Sequence, residues 1–201
     1  MNEKSKAFRH TPFQENLVFL KRWFRNPLRL GALFPSSQAL SMTMAKTVVL
    51  KQQRDRDQYV VEIGAGTGRF TEALLNMGFP PQKLVCIEID KDLYHYMKKR
   101  FPHINLFLGN ACHLENIVPQ SIHQKISCIV SGIPMVSIPD PVRRKIVQSC
   151  FKIMSPEGRL YQFTYSPFAP ITDKGIRLRG QRIHWVFWNM PPASIWSYRQ
   201  C

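Results

Sequence analysis

The feature that most constrains this chain is a glycine-rich turn set between two patterns of hydrophobicity. Residues 59–63 are a short apolar run containing Glu62, the next five residues are Gly64-Ala65-Gly66-Thr67-Gly68, and an amphipathic stretch begins at Arg69. A strand that passes through glycines directly into a helix brings backbone close to a ligand, because side chains there would block the approach. The same alternation continues downstream. Apolar runs at 59–63, 83–89, 105–108, 126–131 and 159–165 read as strands, and 69–77, 91–101 and 141–154 read as helices. That order implies an α/β fold, a mostly parallel sheet with helices on both faces. The final part changes character: 182–188 and 194–198 are aromatic strands joined across Asn189-Met190-Pro191-Pro192, which predicts an antiparallel hairpin.

Upstream of the sheet the pattern is helical. Over residues 13–26, Phe13, Leu17, Leu20, Trp23 and Phe24 share one side at about 100° per residue, and Lys21, Arg22 and Arg25 take the other. Pro27 ends that segment. Pro35-Ser36-Ser37 reads as the start of a second helix running to about Leu50, with a serine hydroxyl accepting from the first free amides.

Length and charge narrow the function. At 201 residues and 44% hydrophobic, the chain has the core of one ordinary domain, so cofactor and substrate should share it. A formal net charge of +15, from 28 basic and 13 acidic side chains, favours a phosphate-bearing partner, either nucleic acid or an anionic membrane. Five dispersed cysteines without a Cys-x-x-Cys predict a reducing compartment and no structural zinc, and the six histidines show no ligand spacing. Neither a secretory pattern nor a spanning helix is expected, which points to a soluble or peripheral protein.

Three signals at successive strand ends define a nucleoside site. In the glycine turn, the sixth position is Arg69, where a dinucleotide fingerprint requires glycine, and this favours the sulfonium nucleoside S-adenosylmethionine. Glu88 ends the next strand, twenty residues beyond Gly68, where its carboxylate can accept from both ribose hydroxyls. Asp90 is better placed to cap the helix from Lys91. Asn110 and the backbone of Ala111 follow the third strand and can pair with the adenine edge. Glu62 can pair with the ligand's ammonium or order the turn itself.

From residue 59 to the C-terminus the sequence resembles class I methyltransferases. Over nearly its whole length it is similar to the bacterial phospholipid N-methyltransferases, which methylate phosphatidylethanolamine towards phosphatidylcholine. The segments that carry this resemblance are 19–27 running into 31–37, the glycine turn, Ser131-Gly132-Ile133-Pro134, Gln162-Phe163-Thr164-Tyr165 and Asn189-Met190-Pro191-Pro192-Ala193. The resemblance implies a Rossmann-like seven-stranded sheet with an antiparallel last strand, and S-adenosylmethionine as donor with S-adenosylhomocysteine as product. It also implies residues 1–58 as a helical lid and membrane-binding segment, and 59–201 as the methyltransferase domain. The implied cofactor contacts are Glu62, Gly64, Ala65, Gly66, Thr67, Gly68, Glu88, Ile89, Asn110, Ala111 and Ser131, with Pro35 and Ser36 from the extension.

The acceptor is read from the loop after the fourth strand. Enzymes that methylate base amines carry Asn or Asp there, then a proline-containing pair, then an aromatic residue that stacks on the base. This chain has Ser131 for the acceptor and Met135 for the aromatic, which argues against a base. A lipid ammonium must instead lose a proton before attacking, which a weakly polar pocket assists, and aromatic faces suit the growing methylammonium. Tyr165 is the leading candidate for that wall, ahead of Tyr161, Phe163 and Trp188, and with Ser131 forms the expected catalytic pair. Arg177 and Arg179, in a basic cluster with Lys174 and Arg182, are the expected partners of the lipid phosphate. Lys21, Arg22, Trp23, Phe24 and Arg25 are the expected membrane contacts, each basic group contributing about 1 kcal/mol near an anionic leaflet.

No metal is required, since proximity and orientation supply most of the acceleration. The expected setting is cytoplasmic, peripheral to the inner face of the membrane, with the membrane and its phospholipid as partners rather than nucleic acid, and with no obligate protein partner evident. Two alternatives stay open: an enzyme like the RNA adenine dimethyltransferases, and a cofactor-binding adaptor without catalysis.

Overall fold

The structure is a computed structural model that describes residues 36–52, 57–172, 176–188 and 191–201. Its centre is a seven-stranded sheet: β1 (Tyr59–Ile63), β2 (Leu84–Glu88), β3 (Asn105–Leu108), β4 (Ile126–Ser131), β5 (Met154–Thr164), β6 (Leu178–Val186) and β7 (Ala193–Gln200). The strand order is β3-β2-β1-β4-β5-β7-β6. β1 to β5 are mutually parallel, and β7 pairs antiparallel with both β5 and β6. The fold is therefore the α/β class I arrangement with a reversed last strand. Strand order also places the C-terminal ends of β1, β2, β3 and β4 along one edge, where ligands of open α/β sheets bind.

Local sequence accounts for most elements. β2 and β4 are buried at every residue and mostly apolar, as strands covered on both faces must be, with Glu88 and Ser131 at their C-terminal ends and Ser127 near the start of β4. β6 lies at the sheet's edge and is exposed at most positions, where Arg179, Gln181, Arg182 and His184 keep it from pairing with another chain. α1 (Ser36–Gln52) begins within the expected serine pair, although Pro35 lies outside the described residues. α2 (Arg69–Asn76) leaves the glycine turn directly, and α3 (Lys91–Arg100) is capped by Asp90 and ends in Lys98, Lys99 and Arg100, which complement its dipole. A short α4 (Leu114–Ile117), not anticipated from the sequence, follows β3, and α5 (Asp140–Ile153) precedes β5.

Two cores flank the sheet. One gathers Ile63, Ile87, Ile129 and Leu160 with Leu114 of α4 and Ile146, Val147 and Cys150 of α5. The other joins Val60, Cys128 and Tyr161 to Phe70 and Leu74 of α2, Met97 of α3, and Leu40, Met44, Ala45 and Val48 of α1. Burial of each larger aliphatic side chain contributes roughly 1.5–3 kcal/mol, so α1 is packed into the sheet's own core along with α2. Tyr161 is part of that core and does not reach the cleft.

Candidate active site

Backbone bonds close the turn after β1 at both ends. Gly64 N donates to Ile87 O at 2.9 Å, and Gly68 N donates to Ala65 O at 2.9 Å. Gly64, Gly66 and Gly68 have φ of 69°, 58° and 77°, which non-glycine residues rarely adopt. The glycines serve different neighbours. A Cβ on Gly64 would stand 2.8 Å from Ile133 Cγ1 in the loop after β4, and one on Gly68 would meet Phe101 and Met97 at 2.4 and 2.5 Å, where α2 packs on α3. At Gly66 that direction is open, with only Gly64 O at 4.0 Å, so this is where a ligand can approach the backbone.

Two buried carboxylates frame the turn. Glu62 is 3% exposed; Thr71 Oγ1 of α2 donates to its Oε2, and Cys86 Sγ lies 3.5 Å from the same oxygen. Burial raises its pKa to about 7 against the hydrogen bonds from Thr71 and Cys86, with the Glu88 carboxylate adding to the rise. These partners tie Glu62 to α2 and β2 on either side of the turn. Glu88 is fully buried; its Oε2 accepts from Gly66 N at 2.8 Å, and its Oε1 accepts from Ile89 N and Asp90 N at 2.8 and 2.9 Å. Burial pushes this carboxyl's pKa up as well. A carboxylate offers about four acceptor directions, so one remains on Oε2 for a ribose hydroxyl, which narrows the expectation of two. Asp90 Oδ1 instead accepts from Asp92 N and Leu93 N, as a helix cap.

On the adenine side, Asn110 Oδ1 accepts from Cys112 N at 2.9 Å and Ala111 is buried. The oxygen is thereby engaged, leaving the Asn110 amide protons as donors to a purine ring nitrogen. Thr67 contributes through its carbonyl, held by Arg100 Nη1 at 3.0 Å while Arg100 Nη2 pairs with Glu72 at 2.6 Å. This clamp joins α3, α2 and the turn.

The acceptor side begins at Gly132, whose N donates to Ile63 O at 2.8 Å. A Cβ there would sit 2.5 Å from Gly64 O, so glycine lets the two loops touch. Ser131 is fully buried and its Oγ accepts from Ile133 N at 3.2 Å. That bond braces the acceptor loop, which is the role the structure displays for Ser131, expected as a catalytic and cofactor contact. Gln162 on β5 donates from Nε2 to Ile133 O at 2.9 Å and to Phe163 O at 2.8 Å. Its Oε1 is buried without a partner among the described residues. Tyr165, just beyond β5, is 48% exposed and meets Phe163 edge-on at 6.0 Å.

The comparisons agree with this geometry. Residues 60–158 match the model described as a methyltransferase domain. The chain has the fold of the class I methyltransferases. The chain is 27% identical to an ornithine lipid N-methyltransferase from Singulisphaera acidiphila over 187 residues, 90% of this chain and 94% of that protein. It is 30% identical over 138 residues to ribosomal RNA small subunit methyltransferase A from Thermotoga neapolitana, spanning 67% of this chain but only about half, 48%, of that relative. Among solved structures, a 1,6-didemethyltoxoflavin-N1-methyltransferase from Burkholderia thailandensis aligns with a TM-score of 0.62 at 12% identity, covering 98% of this chain and 93% of that one. At that identity the likeness concerns the fold.

The residues of the methyltransferase domain fit S-adenosylmethionine, the methyl donor of this family. The open side of Gly66, the spare direction on Glu88 and the free amide protons of Asn110 lie at successive strand ends, as a nucleoside requires. When bound, that molecule supplies an electrophilic methyl group on its sulfonium. Other expected residues fall elsewhere. Arg177 and Arg179 stand at the start of β6, where Leu178 pairs with Gln200 and Arg179 with Arg199, while Val186 pairs with Ala193 at the other end. Because β6 runs parallel to β1, its first residues lie at the opposite end of the sheet from the turn, about 25 Å away along the strand. They do not reach the cleft. Trp188 is 92% exposed at the hairpin tip and forms no wall. Lys21, Arg22, Trp23, Phe24, Arg25 and Lys174 lie outside the described residues.

Proposed function

We propose that the chain transfers methyl groups from S-adenosylmethionine to the amine of a membrane-lipid headgroup, with phosphatidylethanolamine and its methylated derivatives as substrates, towards phosphatidylcholine. The observation that carries this reading is the loop after β4. Met135 is 1% exposed and turned into the core, and the Ser131 hydroxyl is tied to Ile133 N, so neither side chain stacks on a base or receives its amine. What faces outward from the adjacent strand end is Tyr165. An aromatic wall suits an alkylamine whose charge returns as methyls accumulate.

In this reading the chain's residues position groups and exclude water. The Gly64–Gly132 contact sets the distance between the donor and acceptor loops, and Gln162 braces the acceptor loop through Ile133 O. Tyr165 orients the neutral amine for in-line attack, and the proton lost on methylation leaves to solvent. The relative from Singulisphaera supports a lipid amine and favours a second lipid, since an ornithine headgroup also presents a primary alkylamine. The chain would act at the cytoplasmic face of a membrane, with residues 13–26 as one contact. Methyl-labelled S-adenosylmethionine, offered with phosphatidylethanolamine vesicles, ornithine-lipid vesicles or RNA in separate arms, tests this. Label is expected in phosphatidylethanolamine; label in ornithine lipid alone changes the headgroup, and label in RNA alone overturns the proposal.

A further inference from the structure

The C-terminal hairpin carries a surface that the chemistry does not use. Trp188 and Phe187 at its tip are 92% and 70% exposed, and Phe168, on the segment after β5, is 78% exposed. Trp185, on β6 just below the tip, is 41% exposed and stacks on Phe187 with centroids 5.8 Å apart. Beneath them the Arg182 guanidinium lies over Trp185 at 4.4 Å and over Trp196 at 5.6 Å, and Trp196 stacks on Tyr198. A register shift between Arg182 and His184 lets Arg182 meet Trp185, in keeping with the way bulges re-aim side chains. Arg182 Nη1 also donates to Pro167 O at 3.5 Å, which ties the hairpin to the Phe168 segment. The exposed aromatics thus belong to one braced surface.

We infer that this surface is a bilayer-docking face: the aromatic tip at Phe187 and Trp188, with Phe168, enters the headgroup region of an anionic membrane beside the acceptor side of the site. Isolated soluble domains rarely expose so many large apolar side chains together. Tryptophan and tyrosine settle at the headgroup level, where their rings have both an apolar face and a polar edge. Charge near the tip agrees with an anionic surface: Arg182 lies beneath the aromatics, and the sequence has no acidic residue over 163–172 or 176–201. Strand direction agrees as well. Val186 pairs with Ala193, and Ser194 with Thr164, so the tip stands at the end of the sheet where β5 delivers Tyr165. A protruding tip suits a bilayer better than a single nucleic-acid strand, which is held in a basic groove with bases stacked along it.

The inference rests on the lipid-amine reading and is tested apart from it. The double variant F187S/W188S alters only exposed positions, and unchanged affinity for S-adenosylmethionine by calorimetry establishes that it is folded. Its partition onto vesicles of phosphatidylethanolamine and phosphatidylglycerol, measured by sedimentation, is expected to weaken on the order of tenfold, because two large apolar side chains no longer leave water. In the wild-type chain, bromine-labelled acyl chains in the same vesicles are expected to quench tryptophan emission, and to quench it less in W188F. Unchanged sedimentation of the double variant overturns the inference. So does loss of RNA binding alone, or a Trp188 already shielded from acrylamide without vesicles, which would mean that the chain's own residues cover the tip. If no lipid is methylated yet the variant loses vesicle binding, the docking face stands and the lipid-amine reading fails.

Discussion

The donor half of the site, around β1 and β2, and the acceptor half, around β5 to β7, are built in opposite ways. In the donor half the buried carboxylates are already held by the fold: Glu62 with Thr71, Glu88 with three backbone amides, Asp90 with the first turn of α3. In the acceptor half Tyr165, Phe168, Phe187 and Trp188 stand in solvent, and Gln162 Oε1 has no partner among the described residues. A donor site common to many methyltransferases can be completed by the fold alone. The acceptor side is finished by what docks on it.

The sharpest way to break this comparison is at the turn. Gly64→Ala adds a Cβ at a φ of 69° and 2.8 Å from Ile133, so stability is expected to fall by about 3 kcal/mol. Affinity for S-adenosylmethionine should fall by more than a hundredfold in calorimetry. Gly78→Ala has a φ of 79° but nothing within 4 Å, and should cost only about 1 kcal/mol in urea unfolding. Equal losses at the two positions would mean that the contact between the loops contributes nothing.

Next in size is the buried carboxyl. Glu62 has a pKa near 7 in the fold against an ordinary 4.5, so between those values the folded chain binds more protons than the unfolded one. Stability is then full below pH 4.5, declines as pH rises through 7, and stays reduced above. Glu62→Gln should remove that decline and gain up to about 3 kcal/mol at pH 8, read by urea titrations of both proteins across the window. A difference that does not grow with pH would show that burial does not hold the proton on Glu62.

The smallest effect is expected in the open half. Tyr165→Ala should lower kcat/KM for a lipid amine about tenfold, or about 1.4 kcal/mol, and Tyr165→Phe by about twofold. Affinity for the methyl donor should not change in either. A loss of donor affinity in Tyr165→Ala would join the two halves into one site.

Sequence periodicity located β1, β3 and β4 at their observed bounds and the other elements to within a few residues, apart from β5, which starts five residues earlier, and the short α4, which it missed. Burial at those strands is dictated by their own residues. Glu88 and Asp90 were separable for the same reason, since a cap acts on amides two and three residues away. Thr71, Gly132 and Gln162 were not legible as site residues, because their partners Glu62, Gly64 and Ile133 are distant in the chain or reached only through strand pairing. The available signals were a glutamine inside the apolar run 159–165 and the place of Gly132 and Gln162 in segments that carry the family resemblance.

By itself the sequence determined the α/β alternation, the glycine turn and the carboxylate that ends β2, all of which follow from interactions between near neighbours at periods of 2 and 3.6 residues. Only the tertiary structure decided the destinations of the cations and aromatics after β5. Arg177 and Arg179 follow β5 closely in the chain yet stand at the far end of the sheet, while Trp188 arrives beside the acceptor side. Where a side chain lies across a sheet depends on strand order and direction. Those are set by the pairing of distant segments, and no local pattern records them.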